Sequence, residues 1–93
     1  MKITQDMVSA GSVVLSRAGR DRNRLMVVIS REGEYIYMCD GDLRKIARPK
    51  KKKLKHVYPK PFFMEGVEER MEKGSLSDSD IRKFIADAVK KEG

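Results

Sequence analysis

The sequence lacks the residue sets on which most catalytic and metal sites depend. Among its 93 residues there is one cysteine, one histidine and no tryptophan. The single histidine, His56, together with Cys39 leaves no Cys/His set for zinc. There is also no nucleophile elbow and no glycine-rich phosphate loop. We therefore expect no bound metal, no cofactor and no enzymatic activity.

Long apolar runs are also missing. A membrane-spanning helix needs about 20 apolar residues, and no run approaches that length. The first residues do not resemble a secretory signal, because no apolar segment follows them. Cys39 falls in a predicted strand and cannot form an internal disulfide, so we interpret it as a small core residue in a reducing compartment rather than as a reactive thiol. These features predict a cytoplasmic protein with no membrane partner.

Positive charge is abundant but unevenly distributed. The chain carries a net charge of +7 and is 38% charged and 40% hydrophobic, which predicts a small globular domain with an economical core. Residues 1–60 hold fifteen Lys/Arg and six Asp/Glu, a balance of +9, whereas residues 61–93 hold six and eight, a balance of −2. This asymmetry predicts a domain that meets a polyanion and a tail that does not.

Much of this charge surrounds one predicted β-hairpin. Apolar strands at about residues 12–17 and 24–31 flank the loop 18–24, which holds one Gly, one Asp, one Asn and three Arg. Guanidinium groups can fork onto phosphate oxygens, so we predict that this loop contacts nucleic acid. The alternative is a hydrated loop with no partner. The candidate residues are Arg17, Arg20, Arg22 and Arg24.

The next two strands predict a sheet covered on both faces. The second strand has an unbroken apolar run, Leu25 to Ile29, which a sheet with one wet face would not carry. In the third strand, at about residues 34–40, Tyr35 and Tyr37 share one face. If that face is exposed, the two rings are candidates for stacking on unpaired bases. Alternatively, they pack beneath the C-terminal helices.

A second basic group follows the turn at residues 40–42. We predict a fourth strand at residues 43–48, ended by Pro49, and a last short strand at about 54–57. Four consecutive lysines repel one another, so an anionic partner is the natural explanation, although a solvated surface is the alternative. If the sheet closes into a barrel, this group meets the hairpin arginines on one rim. Its candidate residues are Arg44, Lys45, Arg48, Lys50, Lys51, Lys52, Lys53 and Lys55.

The hydrophobic period changes after residues 59–61, which we take as the boundary between a domain at 1–60 and a helical extension at 61–93. A helix is predicted at 62–73, with Gly74 as its C-terminal stop. Ser77 and Asp80 have the spacing of a capping box for a second helix. This pair of helices packs on the sheet or binds a protein partner.

Two segments together resemble the KOW-motif family. VVLSRAGRDRNRLMVVIS matches its strand, basic loop with a glycine (Gly19) and strand, and YMCDGDLRKIARPKKKKLKH is similar to eukaryotic-type large-subunit ribosomal proteins of the L-fourteen-e class. The resemblance covers about residues 9–60, and bacterial KOW-domain RNA-binding proteins of about this length look closest. The chain has Asn23-Arg24 where many members carry Gly-Lys, and its acidic tail also departs from the family.

The resemblance implies a mainly β fold: a small SH3-like β-barrel of about five strands, here followed by a C-terminal pair of α-helices. It also implies binding to structured RNA, chiefly ribosomal RNA on the large ribosomal subunit, without catalysis. We expect phosphate contacts to dominate and the free protein to be a monomer. The alternative function is a protein-interaction module that binds a transcription or translation factor.

Overall fold

A computed structural model describes residues 4–17, 19 and 23–92, and these form five strands followed by two α-helices. A 3-10 turn at Gln5–Met7 precedes the first strand, and a second one at Leu54–His56 joins the last two strands. The strands are β1 (Ser12–Ser16), β2 (Leu25–Glu32), β3 (Tyr35–Cys39), β4 (Lys50–Lys53) and β5 (Val57–Phe63). The helices are α1 (Val67–Lys73) and α2 (Asp78–Glu92). The prediction of a mainly β fold with two C-terminal helices is confirmed.

All strand pairs are antiparallel, and the order across the sheet is β4-β3-β2-β1-β5. Among the described residues β4 and β5 are the two edges, so the strand ladder is not closed into a barrel. Two register shifts, between Ser12 and Val14 and between Val28 and Ser30, interrupt the pairing. Such bulges increase local twist, which lets a short sheet curl around a core.

The central strands bury both of their faces. In β2, Met26 and Val28 belong to one hydrophobic cluster, while Val27 and Ile29 belong to a second cluster on the opposite face. All four side chains are at most 6% exposed. The prediction that the run Leu25 to Ile29 is covered on both faces is therefore confirmed.

The two clusters differ in what covers the sheet. The first contains sheet residues together with Val8, which follows the first 3-10 turn, and Leu54, which begins the second. The second is completed by the helical part of the chain, including Val67 and Ile81. The helices therefore form one side of the core rather than a separate layer of surface.

The predicted fourth strand at residues 43–48 is wrong. That segment is a loop, and the strand is the lysine run Lys50–Lys53 itself. The Asp40 carboxylate accepts the backbone N–H groups of Asp42 and Arg44, while Ile46 donates its N–H to the Asp78 carboxylate at 2.8 Å. These side-chain acceptors satisfy backbone groups that would otherwise seek a strand partner.

The last strand predicted at about residues 54–57 is misplaced, because Leu54–His56 forms a 3-10 turn and the strand begins at Val57. β5 extends from Val57 to Phe63 and contains Pro59 and Pro61, so it runs through the boundary placed at residues 59–61. Proline is tolerated here because β5 is an edge strand. Phe62 and Phe63, predicted to begin a helix, are strand residues.

The first helix is consequently shorter than predicted, and the second is capped as predicted. α1 begins at Val67 and ends at Lys73, and Gly74, with φ +67, caps it as predicted. Ser77 Oγ accepts the Asp80 N–H, and the Asp80 carboxylate accepts the Ser77 N–H, both at 3.1 Å. These bonds to Ser77, together with Arg70, lower the pKa of Asp80 below its usual value. The predicted capping box is confirmed.

Candidate nucleic-acid interface

The β4 lysines and the β3 tyrosines meet on one face at the edge of the sheet. In the β3–β4 ladder Tyr35 pairs with Lys53 and Tyr37 with Lys51, and directly paired residues point to the same side of a sheet. The Lys51 Nζ lies 4.8 Å from the Tyr35 ring centroid, and the Lys53 Nζ lies 5.8 Å from it. This arrangement holds two ammonium groups against one aromatic ring by cation–π attraction.

The two tyrosines are not equivalent. Tyr37 is half-buried against the second hydrophobic cluster, which the helices complete, whereas Tyr35 is 37% exposed. The two interpretations made from the sequence therefore divide between the residues: Tyr37 packs on the helix-covered core, and Tyr35 is the ring that remains accessible beside the lysines.

Lys52 points to the other face and connects the lysine run with the hairpin. Its Nζ donates to Ser16 Oγ at 2.7 Å, and it lies 4.0 Å from the position that a Cβ would occupy at Gly19. Ser16 is the last residue of β1, and Gly19 belongs to the basic loop. Lys52 therefore lies beside the end of β1 and the start of the basic loop.

Arg17 directly follows β1, is exposed, and stacks on an aromatic ring. Its guanidinium carbon lies 4.1 Å from the centroid of the Tyr58 ring. The backbone is fixed by the Arg17 N–H, which donates to the His56 carbonyl at 2.9 Å. Tyr58 is 49% exposed.

Arg24, at the other end of the loop, is partly exposed but binds a buried carboxylate. Its Nε and Nη2 donate to the Asp40 Oδ2 at 3.1 and 2.8 Å. Asp40 is only 5% exposed, and it also accepts two backbone N–H groups from the following turn. Burial raises the pKa of Asp40, but the bonds from Arg44, Asp42 and Arg24 outweigh burial and hold it below its usual value.

The remaining candidates are distributed around these contacts. Lys45 and Arg48 are exposed on the loop between β3 and β4, and Lys55 is exposed in the second 3-10 turn. Lys50 and Arg44 are half-buried, and the Arg44 backbone forms hydrogen bonds with Asp40. Arg20 and Arg22 lie outside the described residues.

Other chemistry finds little support in the part of the chain that the structure describes. Burial, followed by the charges of Asp78 and Asp40, raises the pKa of the Cys39 thiol to about 12, so it stays protonated and unreactive at neutral pH. Cys39 is fully buried in the second cluster, as its interpretation as a core residue predicted.

No group of three or more His, Cys, Asp or Glu side chains within 4–17, 19 and 23–92 could hold a metal ion. In the same ranges no helix has the length and apolarity needed to cross a membrane.

Comparison with known proteins adds no relative. No protein-family model matches the chain, and no curated protein matches it. The KOW resemblance therefore stays a prediction from the residues quoted above.

Sequence reasoning missed Tyr58 as a surface residue of this region. The signal was present, because Val57 is an apolar strand position and strand side chains alternate, so Tyr58 must point to the opposite face. It was overlooked because the following prolines suggested a linker. Its contact with Arg17 depends on the pairing of β1 with β5, which the sequence alone does not reveal.

Proposed function

We propose that this protein is a non-catalytic RNA-binding protein. It docks on structured RNA, with ribosomal RNA of the large subunit as the first candidate. Lys51 and Lys53 contact phosphates, as does Arg17 at the start of the hairpin loop. The Tyr35 ring is available for stacking on an unpaired base. Affinity of this kind depends on releasing counterions from the RNA and falls as salt rises.

The observation that carries the proposal is the combination of charge and aromatic surface at the β4 edge. Two exposed lysines lie within 6 Å of the exposed Tyr35 ring. Lysines on an edge strand also prevent pairing with another sheet, so lysine alone would not indicate a ligand. The aromatic ring beside them, and the approach of Lys52 to the basic loop, favour a nucleic-acid surface over simple edge protection.

The proposal includes the fold family and the compartment. We infer that the strands form an open variant of the SH3-like barrel of KOW proteins, with the loop after β1 as the KOW loop. The five-strand antiparallel order and the 3-10 turn before the last strand support this assignment. We place the protein in the cytoplasm, where ribosomal RNA is accessible.

The test measures binding to transcribed fragments of large-subunit ribosomal RNA across a salt series. Replacing Lys51 and Lys53 together with Ser removes two exposed cations, so the slope of log affinity against log salt should become shallower by about one to two units. The matched control replaces Lys83 and Lys90 of α2, which are also exposed lysines, and should leave binding unchanged relative to the lysine pair of β4. Equal effects of the two double variants would contradict the proposed interface.

A groove on the helical side favours a second candidate function, the docking of a protein. It has a volume of about 510 Å³ and lies between the base of the hairpin and α2. The apolar side chains at its surface are Leu15, Leu25, Ile85, Ala86 and Val89. Val89 is 52% exposed. Association with a translation or transcription factor that persists at high salt, without RNA binding, would favour this function over the first.

A further inference from the structure

The contact between Arg17 and Tyr58 is separate from the lysine surface of β4. Tyr58 pairs with Leu15 in the ladder between β1 and β5, whereas Tyr35 belongs to the ladder between β3 and β4. Tyr58 therefore lies on the β5 edge of the sheet, whereas Tyr35 lies on β3, one strand in from the β4 edge. Each carries a cation over its ring, and each is exposed.

The Arg17–Tyr58 pair is positioned by backbone contacts on both sides. Leu15 and Ser16 pair with Tyr58 and Val57. Beyond the ladder, the Arg17 N–H donates to the His56 carbonyl at 2.9 Å. The Arg17 backbone is therefore fixed up to the start of the loop. Little backbone conformational entropy is lost when a ligand binds to the pair.

The pair presents an open planar surface. Arg17 covers one face of the ring at 4.1 Å, yet Tyr58 retains 49% of its accessible surface. The contact with Arg17 therefore leaves part of Tyr58 accessible to a ligand. Packing of β5 on the core is provided by the neighbouring Val57, which is fully buried. The Tyr58 ring is thus not required to fill the interior.

We propose that Arg17 and Tyr58 form a stacking site for one unpaired nucleobase of the bound RNA. Nucleobases stack on aromatic rings and on guanidinium planes, and both planes are present here. This inference rests on the proposed RNA-binding function and adds to it a site at the other edge of the sheet. It assigns to Arg17 a stacking role in addition to its charge.

The experiment compares two RNA probes that differ only in base pairing. One is a stem–loop with a single fluorescent adenine analogue unpaired in its loop, and the other is a duplex of equal length with the analogue paired. Tyr58→Leu removes the aromatic plane, Tyr58→Phe retains it, and Arg17→Lys retains the charge without the guanidinium plane. Circular dichroism and thermal unfolding confirm that each variant is folded before binding is measured.

Stacking predicts a loss that depends on the unpaired base. Tyr58→Leu should weaken binding to the stem–loop about tenfold and to the duplex by less than about twofold. Tyr58→Phe should bind the stem–loop with wild-type affinity. It should also produce the same change in the fluorescence of the adenine analogue as the wild-type protein. Arg17→Lys should weaken stem–loop binding while leaving its salt dependence unchanged, because the charge is kept.

Two results would overturn the stacking site while leaving RNA binding intact. One is salt-sensitive binding by Tyr58→Leu that equals wild type on both probes, and the other is an equal loss on both probes. If the wild-type protein binds neither probe even at low salt, the proposed function fails together with this inference.

Discussion

The loop between β1 and β2 is anchored differently at its two ends. At one end Arg17 lies on the surface against the exposed Tyr58 ring. At the other end Arg24 binds Asp40, whose carboxylate is 5% exposed. Arg17 and Arg24 flank the same loop, so the comparison teaches that the burial of the partner, and not the basic residue itself, decides whether an arginine is tied to the core.

The Arg24 end is part of a larger set of contacts that fixes the loop after β3. Asp40 connects the hairpin to the turn at residues 40–44. Arg82 of α2 in turn donates to the Gly41 carbonyl at 2.6 Å. Gly41 has φ +77, and a Cβ there would collide with the Asp78 carbonyl, so the close approach of loop and helix requires glycine. This end therefore ties hairpin, loop and helix together.

The largest effect on stability should come from removing the buried carboxylate. Asp40→Ala leaves the Arg24 guanidinium and two backbone N–H groups without their acceptor, and should lower the free energy of unfolding by about 2–3 kcal/mol. Asp42→Ala is the matched control: Asp42 is exposed and lies 3.9 Å from Arg24, so its removal should cost less than about 0.5 kcal/mol. Urea denaturation measures both, and equal costs would show that Asp40 is not the anchor.

Low pH should weaken the contact between Arg24 and Asp40 and so lower the free energy of unfolding. The pKa of Asp40 is lower in the folded protein than its usual value, so its ionised form stabilises the fold fully above the unfolded pKa, near pH 4, and this contribution is lost as the pH falls through the folded pKa. We expect the difference in unfolding free energy between wild type and Asp40→Asn to narrow as the pH is lowered below about 4. A difference that stays constant down to about pH 2 would contradict this assignment.

The smallest effects on stability test the two arginines directly. Arg24→Gln should lower the unfolding free energy by about 1 kcal/mol, because it weakens the contact with buried Asp40 while Arg24 itself is partly solvated. Arg17→Gln should cost no more than about 0.5 kcal/mol, since its cation–π contact is exposed. RNA affinity, measured by filter binding, should show the opposite order, with the larger loss in Arg17→Gln. The same order in both measurements would remove the distinction between the two ends.

The parts of the fold that were predicted correctly follow from local patterns. The apolar run of β2 indicated burial on both faces, and the Ser77–Asp80 spacing indicated the start of α2. Capping and alternation are determined by residues close in sequence, so one segment carries the whole signal. Alternation also indicated that Tyr35 and Tyr37 share one face, but it did not indicate which of the two rings would be covered.

The parts that were not predicted depend on contacts distant in sequence. Ile46 donates its N–H to Asp78, 32 residues away, and that bond helps to hold residues 43–48 as a loop. Four lysines have low strand propensity, and Lys50–Lys53 is a strand because it pairs with β3. Likewise, the β5 prolines are accommodated because the strand lies at the sheet edge. Tertiary pairing overrides local preference in each case.

The path of β5 has a consequence for how the chain unfolds. Phe63, at the end of the strand, still pairs with Ser12, and the Met64 N–H donates to the Gly11 carbonyl at 2.8 Å. Immediately afterwards the chain enters the helices, whose Val67 and Ile81 complete the second cluster with Val27. Cutting the chain at residue 60 would remove the Phe63–Ser12 pair from the end of the β1–β5 ladder and expose one side of a small core at the same time. We therefore expect the sheet and the helices, and with them the basic and acidic parts of the sequence, to unfold as a single cooperative unit.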